Sequence, residues 1–322
     1  MPDLAAALTP VLTAALGAGS RVVEATSMTA GASRHTTAVV VDDGTGGRRR
    51  LVLQQARPGT AGAMLVEAEL MRRARAGGVP VPEVVAASDD PDAPGAPYTL
   101  TGHVAGETLP QRILGDCPPG LARRCGEVLA AIHRIDPAGV DLPAPDDPVR
   151  ALRDLYDGTG SAVPTFELGF RELTRDRPPA CPRGLVHGDF RMGNLVVSAD
   201  ARGGLAAVLD WELAHVGDPV EDMGWLCTKA WRFRRPAVVG GFGDVDDLLA
   251  GYAAGGGRPV DRAELHWWTV YGTLRWGVLC LSMLRAHLDG HVRSVDRVAI
   301  GRRVAEQEWD LLDLLDSAAT AR

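Results

Sequence analysis

The sequence predicts an α+β protein in two parts, a small strand-rich N-terminal part followed by a larger, mainly helical part. Three observations lead there. Two apolar strand candidates, 37–41 and 50–54, flank the turn-forming run Asp42-Asp43-Gly44-Thr45-Gly46-Gly47, which reads as an antiparallel hairpin. Two more strand candidates follow at 84–87 and 98–104, separated by a loop rich in Pro, Asp and Gly. Beyond Gly106 helical patterns take over. The boundary falls near 104–106, which gives an N-terminal lobe over 1–104 and a C-terminal lobe over 105–322.

The elements follow in order. Residues 4–16 read as a short amphipathic helix. Residues 63–76 read as a second helix, with Glu67, Leu70, Met71 and Ala74 at helical spacing, and Val79-Pro80-Val81-Pro82 stops it. Residues 121–135 form a third helix, followed by a loop over 136–148. Short strands and loops occupy 185–210, and the chain from 219 onward is mainly helical, interrupted at Gly255-Gly256-Gly257. No internal repeat is present.

Composition narrows the function. The 322 residues are 46% hydrophobic, enough for a large core, and carry a net charge of -7, which argues against a nucleic-acid binder. Five cysteines without a C-x-x-C pair fit a reduced, cytoplasmic protein better than a disulfide scaffold or a zinc site. The start of the chain lacks the basic region of a secretory signal, and the apolar stretch 278–284 is too short to span a bilayer. His287 and His291 read as surface residues near a helix end. Oligomeric state is left open.

The chemistry concentrates in Leu185-Val186-His187-Gly188-Asp189-Phe190-Arg191-Met192-Gly193-Asn194-Leu195, followed by Val208-Leu209-Asp210-Trp211-Glu212. Asp189 and Asn194 lie in a loop flanked by apolar strands, and Asp210 ends another apolar strand. Each alone could be a turn residue. Together they offer hard oxygen ligands of the kind Mg²⁺ takes beside substrate phosphates, and a carboxylate able to accept an alcohol proton. Phosphoryl transfer needs those parts.

H-G-D-x-x-x-x-N, then D-W-E, then G-D-P-x-x-D is similar to the aminoglycoside phosphotransferase-like family, and more narrowly to its branch associated with acyl-CoA dehydrogenases. The resemblance runs from about residue 25 to at least 283. It implies the two-lobed protein-kinase-like fold and an ATP- or GTP-dependent, Mg²⁺-requiring transfer to a hydroxyl of a small molecule, either an aminoglycoside-like antibiotic or a hydroxyacyl metabolite. It makes Asp189 the catalytic base, Asn194 and Asp210 the Mg²⁺ ligands, and His187 a brace for the loop. Asp218 and Asp222 would hold the loop and the helix that follows, and Glu212 would stand beside the metal or reach it.

On the nucleotide side, Thr29-Ala30-Gly31-Ala32-Ser33-Arg34 resembles the family's phosphate loop, with Ser33 or Arg34 adding contacts. Tyr98 to Val104 resembles the strand into the hinge, where backbone groups around Thr101 and His103 would hold the base. Gln54 stands where relatives carry a basic phosphate contact, and the chain's one lysine, Lys229, lies far downstream. Glu67, with Glu69 as the alternative, would then lack its ion-pair partner, unless Arg34 or Arg57 supplies the charge. The alternative implied is a nucleotide-binding pseudoenzyme or regulatory module. The acceptor would face Asp189 from the helical lobe, with Tyr271 and Arg275, and the neighbouring Trp267, Trp268 and Trp276, as its candidate wall.

Overall fold

A computed structural model describes residues 4–28, 34–57 and 64–320. Ser33 and the rest of the expected phosphate loop before Arg34 lie outside the described residues. The chain divides into two compact units. The first comprises 1–106 together with 138–141 and 206–212, and the second comprises the remainder. Asp210 and Glu212 therefore belong to the first unit.

The first unit is a five-stranded antiparallel sheet. Its strands are β1 (Arg21–Met28), β2 (Arg34–Asp42), β3 (Arg48–Ala56), β4 (Val84–Ser88) and β5 (Tyr98–Gly102), in the order β1-β2-β3-β5-β4. The expected hairpin is β2–β3. β1 is absent from the sequence expectations; six of its eight residues are exposed in a row, so no alternation marks it as a strand. Helix α1 (Leu4–Leu16) buries Leu8 and Leu12 in a cluster with Val39, Val41, Leu51, Leu53, Tyr98 and Leu100. Side chains alternate along a strand, so Gln54 projects from the opposite face to Leu51 and Leu53. Thr36 is its partner on β2, and Arg34, two residues along, shares that face.

Helix α2 (Met64–Ala76) buries Met64, Glu67, Ala68, Leu70, Met71 and Ala74. Glu67 thus lies on the apolar stripe of its own helix. Packing that stripe takes the carboxylate out of water, which is tolerable only with a strong partner.

The second unit contains α3 (Pro110–Ile113), α4 (Leu121–His133), α5 (Pro148–Gly158), α6 (Pro164–Arg175), α7 (Val220–Cys227), α8 (Val245–Ala254), α9 (Arg262–Leu288), α10 (Val295–Gly301) and α11 (Val304–Thr320). Short strands β6 (Gly184–Val186), β7 (Leu195–Val197) and β9 (His215–Gly217) belong to this unit, while β8 (Leu205–Val208) has all but its first residue in the first unit. β6 pairs antiparallel with β9, matching Val186 to His215. α5 and α6 are amphipathic helices absent from the sequence expectations. Both begin with proline at the first helical position, and Asp147 caps α5 by accepting from Val149 and Arg150 N–H groups.

The long α9 runs through the middle of this unit, with Trp267, Trp268, Tyr271, Leu274, Trp276 and Val278 among its buried residues. Glycines let its neighbours approach at backbone distance. A Cβ on Gly224 of α7 would lie 2.5 Å from the Trp268 carbonyl carbon. Likewise α4 and α8 meet where a Cβ on Gly126 would fall 2.1 Å from the Leu248 oxygen, and one on Gly251 would fall 1.9 Å from the Arg123 oxygen. No helix of the described residues is long and apolar enough to cross a membrane.

The α4–α8 contact is backbone against backbone, so a methyl group there has no flexible neighbour to displace. Gly251→Ala is expected to destabilise the protein by about 1–3 kcal/mol, the usual cost of overpacking. A urea denaturation midpoint indistinguishable from the parent protein would contradict that close approach.

Candidate active site

β6 ends at Val186 and delivers the loop 187–194. Gly188 has φ 80°, and a Cβ there would fall 2.2 Å from the Leu213 oxygen, so both conformation and space require glycine. His187 is fully buried, and its Nδ1 accepts the Asp189 backbone N–H at 3.2 Å. That closes a small ring inside the loop and fixes the direction in which the Asp189 side chain leaves the backbone.

The Asp189 carboxylate is surrounded by donors. Its Oδ1 accepts from the Trp225 indole Nε1 at 2.8 Å and from Arg191 Nε at 2.9 Å. Its Oδ2 accepts from Asn194 Nδ2 at 2.6 Å, and the same amide nitrogen reaches the Asp189 carbonyl at 3.0 Å. The Arg191 guanidinium lies over the Trp231 ring, 4.5 Å from its centroid. Neither Arg191 nor Trp225 stands out in the sequence as a site residue. Arg191 carries a signal, an arginine two residues after the key aspartate; Trp225 carries none, because its contact with Asp189 spans 36 residues.

The loop is held from behind by Asp222 on α7. Its Oδ2 accepts the His187 N–H at 2.8 Å and its Oδ1 the Gly188 N–H at 2.9 Å. His133 Nε2, from the end of α4, lies 3.1 Å from Oδ2, and its Nδ1 lies 3.0 Å from the Tyr252 hydroxyl. Asp222 is fully buried. Burial alone would raise its carboxyl pKa, but the hydrogen bond and attraction of His133, with the His187 backbone N–H, outweigh it and hold the group below the ordinary carboxylate value. Trp225 is three residues further along the same helix, so one face of α7 meets both the loop backbone and the Asp189 carboxylate. Asp218 accepts the Val220 N–H at 2.9 Å at the start of that helix and sits 3.6 Å from Arg258.

Tyr271 and Arg275 require a correction. Tyr271 is buried among aromatics, stacked parallel to Trp267 and edge-on to Trp268, and burial pushes its hydroxyl pKa up. Arg275 donates to the Gly188 carbonyl at 2.9 Å, lies 3.6 Å from Glu221, and caps the Trp225 ring at 4.5 Å. Their shared helical face packs against the protein, and Arg275 supports the loop. Helical spacing identifies a face; on a helix buried nearly all round it does not say what that face meets. Trp267, Trp268 and Trp276 are likewise buried.

In the first unit the residues expected on the nucleotide side form a second cluster. Arg34 binds Glu67 through both terminal nitrogens, one bond measuring 2.7 Å, and its guanidinium lies 3.3 Å from Glu212. Burial opposes the charge on Arg34, yet the bonds and charge of Glu67, with Glu212 and Asp210, keep its pKa above the ordinary value. For Glu67, burial is the larger effect and raises the carboxyl pKa in spite of Arg34. Glu67 thus has an ion-pair partner, and it is Arg34, one of the two arginines that the sequence offered for the charge. The cation sits on β2 instead of β3. Glu69 pairs with Arg73 at 2.8 Å.

Asp210 adopts φ 64°, a left-handed conformation that aspartate tolerates and that often marks a functional position. Gln54 is half-buried in β3, and Thr101 is buried in β5 with its hydroxyl 3.5 Å from the Val52 carbonyl. His103 is exposed, and its backbone N–H donates to the Arg50 carbonyl at 3.0 Å. Arg57 is exposed just beyond β3. Among the described residues, no group of three or more His, Cys, Asp or Glu side chains is placed to hold a metal ion by itself.

Residues 25–268 match the model of the phosphotransferase enzyme family, and the chain belongs to that family. It is an enzyme of the small-molecule phosphotransferase class with a kinase-like fold. A candidate aminoglycoside phosphotransferase of Ralstonia eutropha superposes with a TM-score of 0.71 at 21% identity, over 91% of this chain and 92% of that one. A microcompartment-associated aminopropanol kinase gives 0.62 at 19% identity, over 92% and 93%. Mouse acyl-CoA dehydrogenase family member 10 is 25% identical over 292 residues, 81% of this chain. Chicken acyl-CoA dehydrogenase family member 11 is 28% identical over 163 residues, 46% of this chain. The chain spans 27% of the mouse protein's length and 20% of the chicken protein's.

Asp222 carries a testable consequence. A carboxyl whose folded pKa is depressed contributes stability that is complete above the unfolded value of 3.8 and is lost as pH falls through the folded pKa. Asp222→Ala leaves two loop N–H groups and His133 without their acceptor, and is expected to cost about 3–5 kcal/mol at neutral pH. Acid unfolding of Asp222→Asn should lack the component that this carboxyl supplies. An unchanged melting temperature in Asp222→Ala would refute the bracing role.

Proposed function

We propose that the protein transfers the γ-phosphoryl group of ATP or GTP, with Mg²⁺, to a hydroxyl of a small molecule, with Asp189 as the base. The observation that carries this reading is the Asp189 carboxylate, held as an acceptor by three donors in a loop whose backbone is anchored to a buried carboxylate. A base must be oriented before it can take a proton from an alcohol, and this network orients one. The first unit then serves as the nucleotide-binding lobe and the second as the catalytic and substrate lobe.

Asn194 and Asp210 suit a Mg²⁺ ion. Asn194 spends its amide nitrogen on Asp189, which leaves its carbonyl oxygen as a hard donor, and Asp210 adds a carboxylate. Oxygen donors of this kind are those that Mg²⁺ takes beside phosphates, and the ion would neutralise charge on the phosphates. Arg34 would grip the phosphates in place of a cation at Gln54, with Glu67 and Glu212 holding its guanidinium. That substitution supports an active enzyme over a pseudoenzyme, because the charge that Gln54 lacks is present on the neighbouring strand. The base would rest near Thr101 and His103.

The spectinomycin phosphotransferase neighbour was solved with ADP and spectinomycin, and an aminoglycoside 2'-phosphotransferase with GDP, which supports a nucleotide here. For the acceptor, the guanidinium of Arg191 beside Asp189 weighs against a polycation. We favour a neutral or anionic hydroxyacyl compound over an aminoglycoside, in line with the acyl-CoA dehydrogenase relatives.

Two measurements test the reading. Asp189→Asn is expected to lower phosphate transfer by roughly 10²–10⁴-fold while nucleotide affinity stays within a factor of a few; transfer would be followed by the mass of the phosphorylated acceptor in a screen of hydroxyl compounds. Turnover at the parent rate would end the assignment of the base. On the nucleotide side, calorimetric titration should show Arg34→Gln weakening Mg²⁺-nucleotide binding by about 1–3 kcal/mol. Gln54→Lys should gain little, since a second cation would face the first. A large gain from Gln54→Lys with no loss from Arg34→Gln would place the phosphate grip on β3.

A further inference from the structure

The donors around Asp189 are not evenly shared between its two oxygens. Oδ1 accepts from Trp225 Nε1 at 2.8 Å and from Arg191 Nε at 2.9 Å. Oδ2 accepts from one side-chain donor, Asn194 Nδ2, at 2.6 Å. An ionised carboxylate offers about two lone-pair sites on each oxygen. Oδ1 is therefore filled, while Oδ2 keeps one site open.

We infer that Trp225 is a positioning residue for the transfer reaction: with Arg191 it saturates Asp189 Oδ1, so that Oδ2 is the atom that takes the acceptor's proton. The inference rests on the reading of Asp189 as the base. In the step it describes, the acceptor O–H proton passes to Oδ2 and the acceptor oxygen forms a bond to the γ-phosphorus of the nucleoside triphosphate. The bond from that phosphorus to the bridging oxygen breaks, and the nucleoside diphosphate leaves with the electron pair.

The surroundings of Trp225 fix its indole N–H. The ring is buried, capped by the Arg275 guanidinium at 4.5 Å, and packed at 5.2 Å and 6.3 Å, centroid to centroid, from Trp231 and Trp276. Arg191 is held over Trp231 at 4.5 Å, so both donors to Oδ1 are set by one aromatic cluster. An indole N–H is a donor with no acceptor capacity and no titration, so it can only confine the carboxylate. Rotation of the Asp189 side chain would break two bonds at Oδ1 and one at Oδ2 together.

Trp225→Phe removes the N–H and keeps the aromatic packing. The readout is single-turnover hydrolysis of Mg²⁺-ATP, with Mg²⁺-GTP in a parallel arm and water as acceptor. The rate is expected to fall roughly 10- to 100-fold, the loss of one hydrogen bond to a charged group, with nucleotide affinity unchanged. In an Asp189→Asn background the same substitution should cost nothing more, whereas a merely structural role would add its own loss. If Asp189→Asn abolishes hydrolysis and Trp225→Phe does not slow it, this inference fails and the base survives. If Asp189→Asn itself hydrolyses at the parent rate, the base reading fails and the inference with it. A second measurement needs no Trp225 variant. Of the indole N–H resonances from seven tryptophans, one should move strongly in Asp189→Asn, and a spectrum in which none moves overturns the Trp225–Asp189 bond.

Discussion

The Asp222 carboxylate is the interaction on which the rest of the loop 187–194 depends. A fully buried negative charge is costly unless its lone pairs are used, and here two backbone N–H groups and His133 use them. The constraint works in both directions. The loop supplies the donors that make the buried charge tolerable, and the charge fixes the backbone of His187 and Gly188. Because the Gly188 carbonyl also accepts from Arg275, the residue is held through both its N–H and its C=O. Everything that Asp189 does starts from that fixed backbone.

A second buried charge shows how physical requirements outlast sequence position. Glu67 lies on the packed stripe of α2 and needs a cation. The expected strand position holds Gln54, yet Arg34 on the adjacent strand reaches Glu67 from the same face of the sheet. In an antiparallel sheet, residues two apart on one strand and their cross-strand partners share a face, so a long side chain can substitute from a neighbouring strand. Arginine suits the exchange, because its fork engages Glu67 with two nitrogens and still approaches Glu212.

The aromatic helix α9 illustrates a different economy. Its arginine and tyrosine stand out in the sequence because polar groups among tryptophans invite a functional reading. Arg275 instead spans Gly188, Glu221 and the face of Trp225. A guanidinium can serve as a structural tie here because it satisfies a carbonyl and a carboxylate while its flat face covers an indole.

The sequence by itself determined the fold class, the β2–β3 hairpin, the helices 4–16, 63–76 and 121–135 to within a few residues, and the aspartates and asparagine of the motif. These are local signals, carried by alternation, helical spacing and turn residues, or by a motif compact enough to be read along the chain. β1 escaped because an exposed strand has no alternation. α5 and α6 escaped because each opens on a proline, which reads as a loop signal until the helix behind it is seen. The donors to Asp189, the Arg34–Glu67 pair and the true work of Arg275 were decided by tertiary structure. The Trp225, Arg34 and Arg275 contacts each join residues tens of positions apart. Which of several chemically suitable side chains meets a buried carboxylate depends on how helices and strands pack, and no spacing along the chain encodes it.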